Sequence, residues 1–199
     1  MKRQLKRFGM GARFLAGQVG TTTGRAISMP LLLETHELPG DDWQLRREAT
    51  LRLGSVRPAN EVELRAKKRG SVVALRLFDS TTSSLTLAIR ILVLASPDDA
   101  SLWISTLQEK MITEESSSIR STKPTLVDGI EVPEFGITRG LTFVLSTNGP
   151  PVVKEVAGAV DSVAFVVRIL AEDDSCPWTQ LLEFAQLQGA KIAKATSPA

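Results

Sequence analysis

Apolar and polar residues alternate along several short stretches in the first half of the chain. In residues 43–53 the apolar side chains fall on one side, with Arg47 as an exception, and polar side chains fall on the other. Alternation of this kind predicts a β-strand with one face toward solvent. Residues 62–68 and 72–78 predict two further strands, joined at positions 69–70 (Arg-Gly) as a hairpin.

A helical repeat follows the most apolar stretch of this half. Residues 85–94 are apolar almost throughout, which predicts a central strand. The sequence Ser-Pro-Asp-Asp at 96–99 is typical of a helix start, since serine caps, proline suits the first turn and acids favour the positive end. Trp103, Leu107 and Met111 recur at a spacing of four and predict the buried stripe of that helix.

The second half of the chain repeats this order. A polar, serine-rich connection at 113–118 precedes predicted strands at 141–145, 152–156 and 163–170. A second helix is predicted after Pro177. The members of its predicted apolar face are Trp178, Leu182, Ala185, Gly189 and Ile192.

Two similar phrases occupy equivalent places in the halves. Ile-Arg-Ile-Leu at 89–92 and Val-Arg-Ile-Leu at 167–170 each precede an acidic, proline-containing helix start. We interpret this as an internal duplication of a β-β-β-α unit; the alternative is a chance similarity between α+β segments. Each half needs the other to bury its apolar face. The sequence predicts an α+β fold with a mainly antiparallel sheet, forming one domain over residues 34–195 with half-repeats at about 34–112 and 125–195.

The first 33 residues differ from the rest in charge, with six Lys or Arg and no Asp or Glu before Glu34. Wound as a helix, this segment has an apolar stripe opposite its cations. Such a segment is typical of a membrane-surface helix or an organellar targeting peptide, and a third alternative is a helix that docks on its own body. The residues expected to contact a membrane or a partner are Lys2, Arg3, Leu5, Lys6, Arg7, Phe8 and Leu15.

The net charge of +2 conceals this division. Subtracting the six basic residues from 24 leaves 18 against 22 acids, or −4 for residues 34–199. An acidic body disfavours nucleic-acid binding. No run of about 18 apolar residues predicts a membrane span, and the broken apolar stretch at 14–16 is too short for a secretory signal. We expect a cytoplasmic or organellar protein at the periphery of a membrane.

The search for chemistry centres on the single histidine and the single cysteine. A nucleophile-base pair of Cys176 with His36 is one interpretation. Against it, His36 lies in a predicted connector, and Cys176 precedes Pro177 at a helix start, where a small apolar residue is a sufficient explanation. No acidic residues or histidines recur at metal-ligand spacing, so neither a metal nor a cofactor is predicted. The basic cluster at 65–69 is interpreted as a solvated hairpin tip rather than a nucleic-acid contact.

Residues 36–43, His-Glu-Leu-Pro-Gly-Asp-Asp-Trp, resemble the opening of the PsbP-like and DcrB-like superfamily, where an apolar-Pro-x-x-Trp phrase precedes the first strand. Here one extra residue separates Pro39 from Trp43. Residues 157–192 are similar to the ending of actinobacterial lipoprotein and sensor domains of that type. The resemblance covers about residues 34–195. It implies an α/β sandwich around an antiparallel sheet and a binding or assembly role, and it transfers no functional residue.

These observations lead us to expect a non-enzymatic accessory or assembly module, acting at a membrane surface or in a larger protein complex. Partner proteins are favoured over small ligands, because no cofactor-binding phrase is present. The alternative is an organellar or envelope protein with a cleaved targeting segment. Its body would hold either a small-ligand site or an enzymatic site made of dispersed carboxylates.

Overall fold

A seven-stranded antiparallel sheet dominates the fold in a computed structural model that describes residues 22–40, 42–53, 61–68, 71–113, 125–127, 130, 139–144, 152–172 and 177–197. The strands are β1 Trp43–Arg52, β2 Val72–Ser80, β3 Thr86–Val93, β4 Thr125–Val127, β5 Arg139–Val144, β6 Val152–Val160 and β7 Val163–Ala171. The helices are α1 Thr22–Ser28, α2 Glu61–Lys68, α3 Pro97–Thr113 and α4 Trp178–Thr196, with 3₁₀ turns at Met29–Leu31 and Thr35–Glu37.

The strands lie in the order β1-β2-β3-β7-β6-β5-β4, and every neighbouring pair is antiparallel. The predicted α+β class with a mainly antiparallel sheet is therefore confirmed. The last long strand of each half, β3 and β7, pair at the centre. Ile89 lies directly opposite Val167 in this ladder, so the first residues of the two similar phrases meet there. The internal duplication itself stays a prediction.

Helices cover both faces of the sheet and divide the core into two clusters. On one face, α4 and residues 29–38 pack against Phe78, Phe165 and other apolar side chains of the strands. On the opposite face, α2 and α3 pack against a second cluster that includes Leu92 and Val166. Ser96 caps α3 as predicted, since its hydroxyl accepts a hydrogen bond from the Asp99 amide at 3.1 Å.

The predicted strand at 62–68 is wrong, because this stretch forms helix α2. Val62 and Ala66 are buried at a spacing of four residues, which matches a helix stripe. Acids in the first turn and bases in the last turn also favour this helix. The basic cluster accordingly lies at a helix end rather than on two faces of a strand, and Arg65 pairs with Asp99 of α3. Residues 69–70 lie outside the described residues.

A β-bulge in β1 changes which face of the sheet its side chains point to, compared with the prediction from strict alternation. Register with β2 shifts between Leu45 and Arg47. Because of the extra residue, odd-numbered side chains after the bulge point to the opposite face of the sheet from odd-numbered side chains before it. Trp43 therefore packs in the α4-side cluster and Leu53 in the α3-side cluster, although strict alternation predicts that they share a face.

The core begins upstream of residue 34, where the sequence suggested a domain boundary. Leu32 and Leu33 are buried in the α4-side cluster together with Met29 and Leu31. Three leucines in a row after a proline carry no periodic signal, which explains why the sequence did not assign residues 29–33 to the body. Residues 1–21, including every residue expected to contact a membrane or partner, lie outside the described residues.

Candidate functional site

An open groove of about 600 Å³ lies where residues 34–40 meet the start of β1 and the end of β2. The strands contribute its floor and walls, and residues 34–40 contribute its rim. Its lining residues are Glu34, Thr35, His36, Leu38, Gly40, Trp43, Leu45, Arg76 and Phe78.

The apolar part of the groove is held in place by the core beneath it. Phe78 is fully buried, and Trp43 packs edge-on against Phe184 of α4 with ring centroids 5.4 Å apart. The Trp43 indole N–H donates to the Pro39 carbonyl at 3.1 Å, which fixes the ring. Leu45 differs, since 43% of it is exposed. The groove thus offers a fixed aromatic wall and one accessible leucine.

Arg76 is the charged residue of the groove floor, and its side chain is only 10% exposed. Nη1 donates to the carbonyls of Leu32 and Leu33, each at 2.9 Å, and Nε donates to Glu48 at 3.0 Å. Among the described residues, Nη2 has no hydrogen-bond partner. The guanidinium is therefore held rigidly while one nitrogen keeps its donors for another group.

Glu48 joins this arginine to a second one. Its Oε2 accepts from Arg76, and its Oε1 accepts from Arg25 of α1 at 2.7 Å. Two guanidinium groups thus share one carboxylate, so the group formed by Arg25, Arg76 and Glu48 carries one positive charge in excess. Arg25 was counted with the basic N-terminal segment, and the structure pairs it with the domain.

The rim of the groove is anchored to α4 by an ion pair. Glu37 accepts a hydrogen bond from the Glu34 amide at 2.7 Å and pairs with Lys191. Burial alone raises the pKa of the Glu37 carboxyl. Hydrogen bonds from Lys191 and from the Glu34 backbone outweigh that effect, so the pKa lies below its ordinary value.

Of the two candidate catalytic residues, His36 and Cys176, the structure places His36 at this groove. His36 lies on the rim, where its side chain is 76% exposed and its Nδ1 is 3.6 Å from Glu34. Cys176 lies outside the described residues, so the structure does not test its pairing with His36. Within the described ranges, no three His, Cys, Asp or Glu residues are grouped so that they could hold a metal ion.

Sequence reasoning missed Arg76 and Leu45 as groove residues. A signal for Arg76 exists, since it follows Ala74 and precedes Phe78 at a spacing of two, on the buried side of a strand. An arginine in that position must find partners inside the protein. No comparable signal exists for Leu45, because the alternation groups it with the other apolar side chains of the strand and does not show that it stays 43% exposed.

Comparisons with known proteins inform the fold. No protein-family model and no curated protein matches the chain. The fold is similar to the crystal structure of the extracellular domain of PknH from Mycobacterium tuberculosis, with a TM-score of 0.57 and 12% sequence identity over 83% of this chain and 94% of that one. This likeness supports the α+β fold alone. The resemblance to the PsbP-like and DcrB-like superfamily stays a prediction.

Proposed function

We propose that this protein is a non-enzymatic binding module, and that its groove binds an extended segment of a partner protein. The segment would place an apolar side chain against Trp43 and Leu45 and an acidic group near Arg76. The observation that carries this proposal is the combination of a fixed apolar wall with a buried guanidinium that has donors to spare. The absence of catalysis stays a prediction.

Charge and apolar surface act together in such a groove. Hydrogen bonds to a charged donor are worth more than neutral ones, particularly where water has limited access. Arg76 needs little reorganisation to bind an anion, because three hydrogen bonds already fix its position. The exposed Leu45 adds apolar area that a partner side chain would remove from water.

The edge of the sheet favours a peptide as the occupant. Among the described strands, β1 has a neighbour on one side only, and it runs for ten residues from the groove. An extended peptide can pair with such an edge through backbone hydrogen bonds while one side chain occupies an adjacent pocket. The groove would then determine which peptides bind.

The basic N-terminal segment completes the proposal. Residues 2–19 would carry the module to an anionic membrane surface or to a larger assembly, where the groove meets its partner. No helix among the described residues is long and apolar enough to cross a bilayer. A peripheral location in the cytoplasm or in an organelle is proposed together with the function, on the basis of the charge of residues 2–19.

A peptide-display selection tests the groove. Random peptides of about twelve residues are selected on the full chain and counter-selected on an Arg76→Gln variant whose folding is verified by circular dichroism. We expect the enriched peptides to combine an acidic residue with a large apolar residue at a constant spacing, and to change the intrinsic tryptophan fluorescence of the protein. No enrichment, or enriched peptides without an acidic residue, would show the proposal to be wrong.

A second candidate is favoured by the size of the groove. Its volume of about 600 Å³ lies within the range of small-molecule sites. An amphipathic carboxylate would satisfy the same apolar wall and the same arginine. Titration with decanoate distinguishes the two candidates: saturable binding that depends on Leu45, together with a failed peptide selection, would replace the peptide by a small ligand.

A further inference from the structure

Ile27 on helix α1 is the most exposed large apolar side chain among the described residues, with 55% of it accessible. Arg25 and Pro30, close to it in the chain, are exposed as well. Ser28 and Met29 lie between them in sequence and are buried. We call Arg25, Ile27 and Pro30 the α1 surface. A single exposed apolar residue is ordinary in proteins, so the surroundings of Ile27 decide what this surface means.

The α1 surface is held firmly against the domain. Met29, at the end of α1, belongs to the α4-side core cluster, and Arg25 donates to the Glu48 carboxylate of β1 at 2.7 Å. Binding through a surface that is already fixed in place costs little ordering. The Arg25 side chain nevertheless stays 55% exposed, so its guanidinium is accessible to a second anionic group.

Charge is distributed so that this end of the domain attracts an anionic surface. Helix α1 begins at Thr22, directly after a segment in which residues 1–21 include five Lys or Arg and no Asp or Glu. Residues 22–33 contain no acid either, whereas residues 34–199 carry a net charge of −4. An anionic surface therefore attracts the α1 end of the chain and repels the remainder, which orients the domain.

The next most exposed large apolar residue has the opposite surroundings. Leu102 is 52% exposed and lies on α3, which covers the other face of the sheet. The exposed Asp98 precedes it by four residues, so the two side chains are neighbours on the helix surface. An anionic membrane repels that acid, and Leu102 is thus a matched comparison for Ile27.

We propose that the α1 surface is the part of the folded domain that contacts an anionic membrane. This inference rests on the proposed membrane binding of residues 2–19 and adds which face of the domain meets the lipid. Ile27 would enter the boundary between headgroups and acyl chains, and Arg25 would bind lipid phosphates. Arg25 and the groove residue Arg76 bind the same Glu48 carboxylate, so this contact would hold the groove beside the membrane.

A fluorescent probe that responds to polarity locates the contact. Cys176→Ala removes the single native thiol, and nitrobenzoxadiazole is attached to the full chain through Ile27→Cys or, as the control, Leu102→Cys. Vesicles of phosphatidylcholine and phosphatidylserine are titrated into each protein. We expect emission from position 27 to rise and shift to the blue, while emission from position 102 stays unchanged. Vesicles of phosphatidylcholine alone should cause neither change, because they lack the negative charge.

Substitutions without a probe measure how much the contact contributes. Ile27→Glu should weaken co-sedimentation with the mixed vesicles roughly fivefold or more, because it removes apolar contact and adds a repelled charge. Leu102→Glu should leave the affinity unchanged. Circular dichroism verifies the fold of each variant. If Ile27→Glu fails to fold, Ile27→Ser adds no charge and should weaken binding about threefold.

Three results would overturn this inference while leaving the membrane role of residues 2–19 intact. The first is vesicle binding in which probes at positions 27 and 102 respond alike or not at all. The second is an equal response at position 27 to vesicles of phosphatidylcholine alone. The third is equal vesicle affinity of folded Ile27 and Leu102 variants. Failure of the unaltered chain to bind the mixed vesicles would refute both membrane proposals. The peptide selection contains no lipid, so peptide binding in the groove stands or fails separately.

Discussion

Replacement of Gln188 by alanine should strongly destabilise the protein. Gln188 is fully buried in α4; its Nε2 donates to the Leu31 carbonyl at 2.7 Å, and its Oε1 accepts from the Leu33 amide at 3.1 Å. Gln188→Ala would leave both backbone groups buried without these partners, which costs about 1–3 kcal/mol for each group. Water that enters the vacated space would recover part of this cost. We expect a loss of about 3 kcal/mol in the free energy of unfolding.

Urea denaturation followed by circular dichroism measures this loss, and the same change should lower Tm by roughly 6–12 °C for a chain of this size. Gln186→Ala is the matched control, since Gln186 lies on the exposed side of the same helix. It should change the free energy of unfolding by less than about 0.5 kcal/mol. Equal effects of the two substitutions would refute the assignment of residues 29–33 to the core.

Three further outcomes are expected. Gly158→Ala should cost about 1–3 kcal/mol of unfolding free energy in urea denaturation, because its Cβ would lie 2.6 Å from Cζ of the buried Phe165; an unchanged midpoint would contradict that packing. Glu37 has a lowered pKa when folded, so it stabilises the protein above its ordinary value of 4.5, and this contribution is lost as pH falls through the folded pKa. Glu37→Gln should therefore lose less stability than the unaltered chain in melts between about pH 5 and pH 3, whereas parallel curves would refute this. Charge reversal at Lys2, Lys6 and Arg13 should abolish co-sedimentation with anionic vesicles, at about 1 kcal/mol per cation, and vesicle binding that persists without residues 1–21 would exclude the segment as the membrane element.

The sequence predicts the fold class because the strands of the sheet centre are long and apolar. Residues 85–94 and 163–170 carry that signal, and Ser96 marks the start of α3 by its capping chemistry. Helix α2 was misassigned, since eight residues give only two buried positions, Val62 and Ala66, and these are too few to distinguish a helix from a strand.

The groove was beyond the reach of sequence patterns. It forms where residues 34–40 meet two strands, and this meeting depends on long-range contacts such as those of Arg76 with Leu32 and Leu33. The bulge in β1 is likewise a feature of its pairing with β2. The Arg90–Glu155 contact shows the same limit, because it depends on strand order, which the alternation of residues does not specify.

The most direct test of the proposed function compares two exposed leucines. Leu45 lines the groove and is 43% exposed, whereas Leu102 lies on α3 and is 52% exposed. A peptide from the display selection is titrated by fluorescence anisotropy into the unaltered chain, Leu45→Glu and Leu102→Glu. We predict that Leu45→Glu weakens binding roughly tenfold or more, since it removes apolar contact and repels the acidic group, while Leu102→Glu has no effect. Equal affinities for all three proteins would contradict the proposal that the groove is the binding site.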